Sequence, residues 1–171
     1  MDLVEVDGTV LDRLIAVATT AAAASEVTPP LTPGDSWTPE RVDWLRDFHR
    51  DRRTGSDGRE QEATWAVVVD GEVVGSVRLR RTAVPGALET GIWLARSARG
   101  RGTAARALAA LIEEARSLGC HELRARTTAA NRPAVALLTS VGFVLDPPDR
   151  TGAVTARLAI AGAATDDSSA G

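Results

Sequence analysis

The sequence contains no tyrosine and no lysine, and all 20 of its basic residues are arginine. The missing tyrosine removes one common acid catalyst before any site has been located. A single cysteine, Cys120, excludes an intramolecular disulfide and a cysteine-based zinc cluster. The only histidines, His49 and His121, show no metal-ligand spacing, so no metal is expected. No apolar run reaches the roughly 18 residues a membrane helix needs. The opening Met1-Asp2-Leu3-Val4-Glu5 lacks the charged and apolar regions of a secretion signal, and a cytoplasmic protein is expected. A formal net charge of −3 argues against a chain whose main task is to neutralise nucleic-acid phosphates.

What is present is ordinary globular material. The 171 residues are 44% hydrophobic and 25% charged, enough for one domain with its own core. That domain is expected over residues 1–161, followed by a small, polar, disordered tail over 162–171. A short strand over Leu3–Val6 precedes apolar residues at helical spacing, which predict a helix from about Thr9 to Ala24. Three prolines and a glycine between Val27 and Asp35 make that segment a loop. Thr38 then caps a helix with Pro39 in its first position and an apolar stripe of Val42, Leu45 and Phe48. Arg50 to Glu62 reads as a polar, mobile loop.

The strongest strand signal is Trp65–Val69 and Val73–Leu79 around Asp70-Gly71, a pair suited to the positive φ angles of a type I′ hairpin turn. A strand from Ala87 to Ala95, a helix from Gly102 to Leu118 stopped by Gly119, a strand over Glu122–Thr127 and a helix over Pro133–Val141 follow. A last strand is expected over Ala153–Ile160. An antiparallel meander followed by a strand-helix-strand unit predicts an α/β fold with a mixed sheet, which disfavours a doubly wound dinucleotide fold.

The most informative stretch runs from Ile92 to Leu108. A strand enters the turn Arg99-Gly100-Arg101-Gly102, which opens a helix beginning with the small residues Thr103 and Ala104. Unpaired amides at the positive end of a helix, unobstructed by side chains, make an anion cradle. Neither a Walker loop nor a dinucleotide fingerprint fits.

Arg99-x-x-Gly102-x-Ala104 resembles the Arg/Gln-x-x-Gly-x-Gly/Ala signature of the GNAT N-acetyltransferases. Glu89-Thr90-Gly91-Ile92-Trp93-Leu94 ahead of it is similar to the branch of ribosomal-protein alanine acetyltransferases. Asn131-Arg132-Pro133-Ala134 leading into Val141-Gly142-Phe143 resembles the family's second cofactor motif. The resemblance covers about Trp65 to Phe143. It implies a splayed, mostly antiparallel sheet flanked by helices, and acetyl-CoA as donor. It further implies that the pyrophosphate sits on the amides of Arg101, Gly102, Thr103 and Ala104 and on the turn at Arg99 and Gly100. The pantetheine arm would pair with Trp93, Leu94 and Ala95, with Asn131 on the other side. Asn131 reads equally as the cap of the helix that follows.

Amine acetylation needs a neutral amine, an oxyanion donor and a departing thiolate. The resemblance makes Glu89 the candidate general base and a backbone N–H near Leu94 the oxyanion donor; an edge carboxylate or an arginine partner is the other reading of Glu89. Leu138 stands where many relatives carry the acid tyrosine, so no general acid is assigned. The acceptor, a small-molecule or peptide amine, is expected at the first helices and loops, with Trp37, Trp44 and Asp47 foremost among the aromatics and acids there, which also include Phe48, Trp65, Glu26, Asp35, Glu40, Asp43 and Asp51. The same residues equally suit a helix with one packed and one solvated face. A homodimer is common in such folds, and neither nucleic acid nor membrane is an expected partner. The competing reading is an acetyl-CoA-binding sensor without turnover, which would have no need of Glu89.

Overall fold

The computed structural model describes residues 1–51 and 62–161. Residues 52–61 of the expected polar loop and the tail from 162 lie outside the described residues. Strand β1 (Asp2–Glu5) leads into helix α1 (Gly8–Ala21), whose first turn is capped by the Asp7 carboxylate accepting the Val10 N–H at 2.8 Å. Helix α1 ends three residues short of the expected Ala24. Ala22 is extended, and the chain restarts as α2 (Ala24–Val27). Nothing in the alanine run itself breaks the helix. The break is held by side chains from elsewhere: Glu26 accepts the Ala23 N–H at 3.0 Å, and the Trp37 indole donates to the Ala22 carbonyl at 3.1 Å.

Helix α3 (Pro39–Asp51) follows the proline loop, with the Thr38 hydroxyl accepting the Arg41 N–H. Strands β2 (Glu62–Val69) and β3 (Glu72–Arg81) form the expected hairpin, with Asp70 and Gly71 at φ of 51° and 82°. The remaining elements are β4 (Ala87–Leu94), a short 3-10 turn (Arg96–Ala98), α4 (Thr103–Ser117), β5 (Glu122–Thr128), α5 (Arg132–Val141), β6 (Val144–Leu145) and β7 (Ala153–Ala159).

The sheet order is β1-β2-β3-β4-β5-β7-β6. Only β4 and β5 run parallel, joined by the α4 crossover, so the sheet is mixed and mostly antiparallel as expected. Its two faces carry separate cores. Val77, Leu79 and Leu123 pack with Leu108 and Leu111 of α4 and Leu138 of α5. On the opposite face Ala66 and Val73 pack with Leu11 and Leu14 of α1 and Leu45 of α3. Alternation along the strands therefore gives the chain one helical layer on each side.

Candidate functional site

The parallel seam between β4 and β5 is short. Pairing runs from Ala87 opposite Glu122 to Thr90 opposite Ala125 and stops there, although β4 continues to Leu94 and β5 to Thr128. Beyond Thr90 the two strands part. A cleft of about 860 Å³ opens between them, lined by Ile92, Trp93 and Leu94 on one side and Arg126, Thr127 and Thr128 on the other. The Ala95 N–H points at β3, where it bonds the Val74 carbonyl at 2.8 Å. Because backbone groups alternate along a strand, the N–H and C=O of Leu94 and of Ile92 face the open edge. Arg99 covers the Leu94 carbonyl with two donors, at 2.9 and 2.8 Å, and no described group takes the adjacent Leu94 N–H.

The floor of the cleft is the N-terminus of α4. Gly102 is its cap residue at φ 74°, and no side chain bonds the first-turn amides, the first backbone bond being that of the Arg106 N–H to the Gly102 carbonyl. Amides with no acceptor at the positive end of a helix attract anions. A Cβ built at Gly100 or Gly102 meets no protein atom within 4 Å, so a side chain there would project into open space. Gly100, Gly102, Ala104 and Arg99 line the cleft; Thr103 is buried beneath it and Arg101 faces solvent. Asn131 lines the far wall, and its carboxamide oxygen caps α5 by accepting the Ala134 N–H at 3.3 Å, the cap reading of this residue. Ala95 is buried, bonded to β3 and absent from the lining, a departure from the expected pairing edge.

A second cavity, of about 510 Å³, lies on the α1–α3 face of the sheet. Trp44 and Phe48 of α3, stacked with centroids 4.9 Å apart, form one wall, and Thr28 and Pro29 another. Ser76, Arg78 and Arg80 of β3 and Gly91 and Trp93 of β4 form its base. His49 is buried in its wall, with Nδ1 3.2 Å from the Thr64 hydroxyl. Glu26, Ile92 and Trp93 line both cavities.

Several expected residues fall elsewhere. Trp37 packs in the second core with its indole on Ala22, and Asp47 is 67% exposed beside Arg50; neither lines the second cavity. Trp65 packs on the opposite face of the sheet. Glu89 lies on the correct face but outside the lining of both cavities, its carboxylate accepting Arg80 at 2.7 Å and Arg78 at 3.5 Å. Glu26, one acid among many in the sequence, is instead the carboxylate at the junction. Arg99 bonds it through both terminal nitrogens, at 2.9 and 2.8 Å. The guanidinium, helped by the Ala23 N–H against the opposing effect of burial, holds the Glu26 carboxyl below the usual range.

The sequence pattern of the Acetyltransferase (GNAT) family matches residues 31–143. The chain belongs to the GNAT acetyltransferase family. No curated protein matches it. Its fold is shared with many solved structures at low identity. The ribosomal-protein α-N-acetyltransferase RimL, in complex with coenzyme A, superposes at a TM-score of 0.73 and 14% identity, over 92% of this chain and 93% of the other. A ribosomal-protein-alanine N-acetyltransferase from Brucella melitensis gives 0.64 and 24%, over 93% and 99%. A spermidine N-acetyltransferase from Vibrio cholerae, in complex with CoA and spermine, gives 0.70 and 15%, over 93% and 95%. In this GNAT chain the position expected for an acid tyrosine, Leu138, is buried in the first core, so no proton donor stands there. Among the described residues no group of three or more His, Cys, Asp or Glu is placed to hold a metal, and no helix is long and apolar enough to cross a membrane.

Proposed function

We propose that the protein is an acetyl-CoA-dependent N-acetyltransferase that modifies a primary amine of a small molecule or a peptide N-terminus. The observation that carries this reading is the parting of β4 and β5 after Thr90, which leads a strand-shaped opening directly to the uncapped amides of α4. The first-turn amides and the open space before Gly100 and Gly102 suit a pyrophosphate; the free edge of Ile92 and Leu94 suits an amide-bearing arm, and Asn131 flanks it. Acetyl-CoA would supply an activated thioester carbonyl. The direction of the Leu94 N–H, into the cleft beside a carbonyl that Arg99 already covers, supports reading it as the oxyanion donor. Arg99 thus acts as a positioning residue for the β4 edge, its charge committed to Glu26 and Leu94. A thiol leaving group, with a pKa of about 8.5, needs little protonation, which is consistent with Leu138 in the acid position.

The test is calorimetric titration of coenzyme A into the wild type and Gly102→Val, with a thiol-release assay across a panel of primary amines. A branched side chain at Gly102 both occupies the space before the helix amides and is strained at the local φ of 74°, so coenzyme A binding is expected to disappear while far-UV circular dichroism, which reports on the helices and sheet and not on this turn, keeps its shape. Unchanged affinity would remove the cradle, and no thiol release with any amine would leave a binding protein.

A further inference from the structure

We propose that Glu26 is the side chain that receives the acceptor, and that the acceptor is a protonated primary amine carried on an apolar or aromatic group. This rests on the acetyl-transfer reading, because it is that reaction which brings donor and acceptor to the junction of the two cavities. Of the three residues lining both, Glu26 is the ionisable one. Its position is fixed from both sides. Arg99 holds the two carboxylate oxygens while itself anchored on the Leu94 carbonyl, so the carboxylate is tied to the strand edge that faces the cleft. Oε2 also accepts the Ala23 N–H, whereas among the described residues Oε1 accepts only from Arg99 and keeps a lone pair for a further donor.

The surroundings fit a cation with an apolar body. Trp44, Phe48 and Trp93 supply aromatic surface to the same cavity that Glu26 lines. The other charges of that cavity are paired on the sheet, where Arg78 bonds Glu62 at 2.6 Å and Arg80 bonds Glu89; Glu26 is itself paired with Arg99, so an incoming ammonium shares the carboxylate with that guanidinium. A carboxyl held below its ordinary range is a poor proton acceptor and a persistent anion. Glu26 therefore acts as a counter-ion that selects and orients the amine, and the proton leaves to the solvent that reaches 38% of its side-chain surface.

The experiment compares phenethylamine with 2-phenylethanol, a neutral molecule of similar shape, by tryptophan fluorescence, using the full chain with and without coenzyme A. Wild type is expected to bind the amine about tenfold more tightly than the alcohol, which corresponds to one charge-assisted contact. Glu26→Gln is expected to lose that preference, and any fall in coenzyme A affinity, measured alongside because Glu26 holds Arg99 in the donor cleft, is expected to be smaller than the loss of amine affinity. Because the preference is a ratio within one protein, partial unfolding of the variant does not mimic the result. Glu26→Asp, which keeps the charge, is expected to retain part of it. A preference that survives in Glu26→Gln, a wild type that does not discriminate the two probes, or a variant that loses coenzyme A and amine in equal measure would each overturn the proposal. Failure of the wild type to bind coenzyme A would instead overturn the acetyl-transfer reading, and the preference measured without coenzyme A would still report on Glu26.

Discussion

Two carboxylates that look alike in the sequence, Glu89 and Glu26, are both held by arginine in the structure but stand in different places, Glu26 lining both cavities and Glu89 neither. Glu89 shares a sheet face with Arg78 and Arg80, which lie opposite Gly91 and Glu89 in the β3–β4 register, and accepts both guanidinium groups. Strand alternation was enough to put Glu89, Gly91 and Trp93 on one face. It was not enough to find the arginines, because the β3–β4 register is set by the longer connection 82–86 and not by a two-residue turn. Glu89→Gln should therefore cost about 1–2 kcal/mol of stability through weakened pairing, read as a lower urea midpoint. A fall of about a hundredfold in kcat at unchanged stability would return the proton-accepting role to Glu89. Leu138, named from the sequence only as the position of the relatives' acid tyrosine, is buried in the first core.

The elements legible in advance were those with local punctuation: the Asp70-Gly71 hairpin, α4 opened by Gly102 and stopped by Gly119, and α5 entered through Asn131 and Pro133. The end of α1 was not legible, because its causes, Glu26 and Trp37, act on an alanine run whose own propensity favours continuing the helix. The same holds for the proline loop, which reads as irregular yet is organised by a side chain from α3. Arg41, only 1% exposed, donates to the Thr28 and Thr32 hydroxyls at 3.0 and 2.8 Å and to the Thr32 and Gly34 carbonyls at 2.6 and 2.9 Å. Arg41→Met preserves the apolar stem and leaves those oxygens without their donors. It is expected to destabilise the protein by about 2–4 kcal/mol in urea unfolding. Since Thr28 and Pro29 wall the second cavity, the acceptor KM should rise in this variant while coenzyme A affinity changes little. Equal losses on both ligands would place the loop's influence on the whole fold.

At the scale of the molecule, the Glu26–Arg99 pair joins segments 73 residues apart and ties the first helices to the turn that opens α4. Arg99 lowers the Glu26 carboxyl from its ordinary value of 4.5, so the contribution of this tie to stability is fully present above that value and is lost as pH falls through the depressed one. The melting temperatures of wild type and Glu26→Gln should accordingly differ at pH 7 and converge only as the pH falls below 4.5 and through the depressed value; a gap independent of pH would locate the effect outside the ion pair. The mixed sheet as a whole was foreseeable from its run of hairpins and one helical crossover, but the length of the β4–β5 seam was not, because nothing in either strand's composition marks where pairing ends. That seam makes the molecule mechanically anisotropic. Within the backbone ladder four rungs join the half-sheet β1-β2-β3-β4 to the half-sheet β5-β7-β6, with α4 and α5 packed across both, so a load carried by the ladder concentrates at its end, Thr90 and Ala125, like the tip of a crack. An extended ligand laid along the open edges would add rungs beyond the tip and blunt it, so that substrate binding would also be a change in stiffness, greatest in the direction perpendicular to the strands.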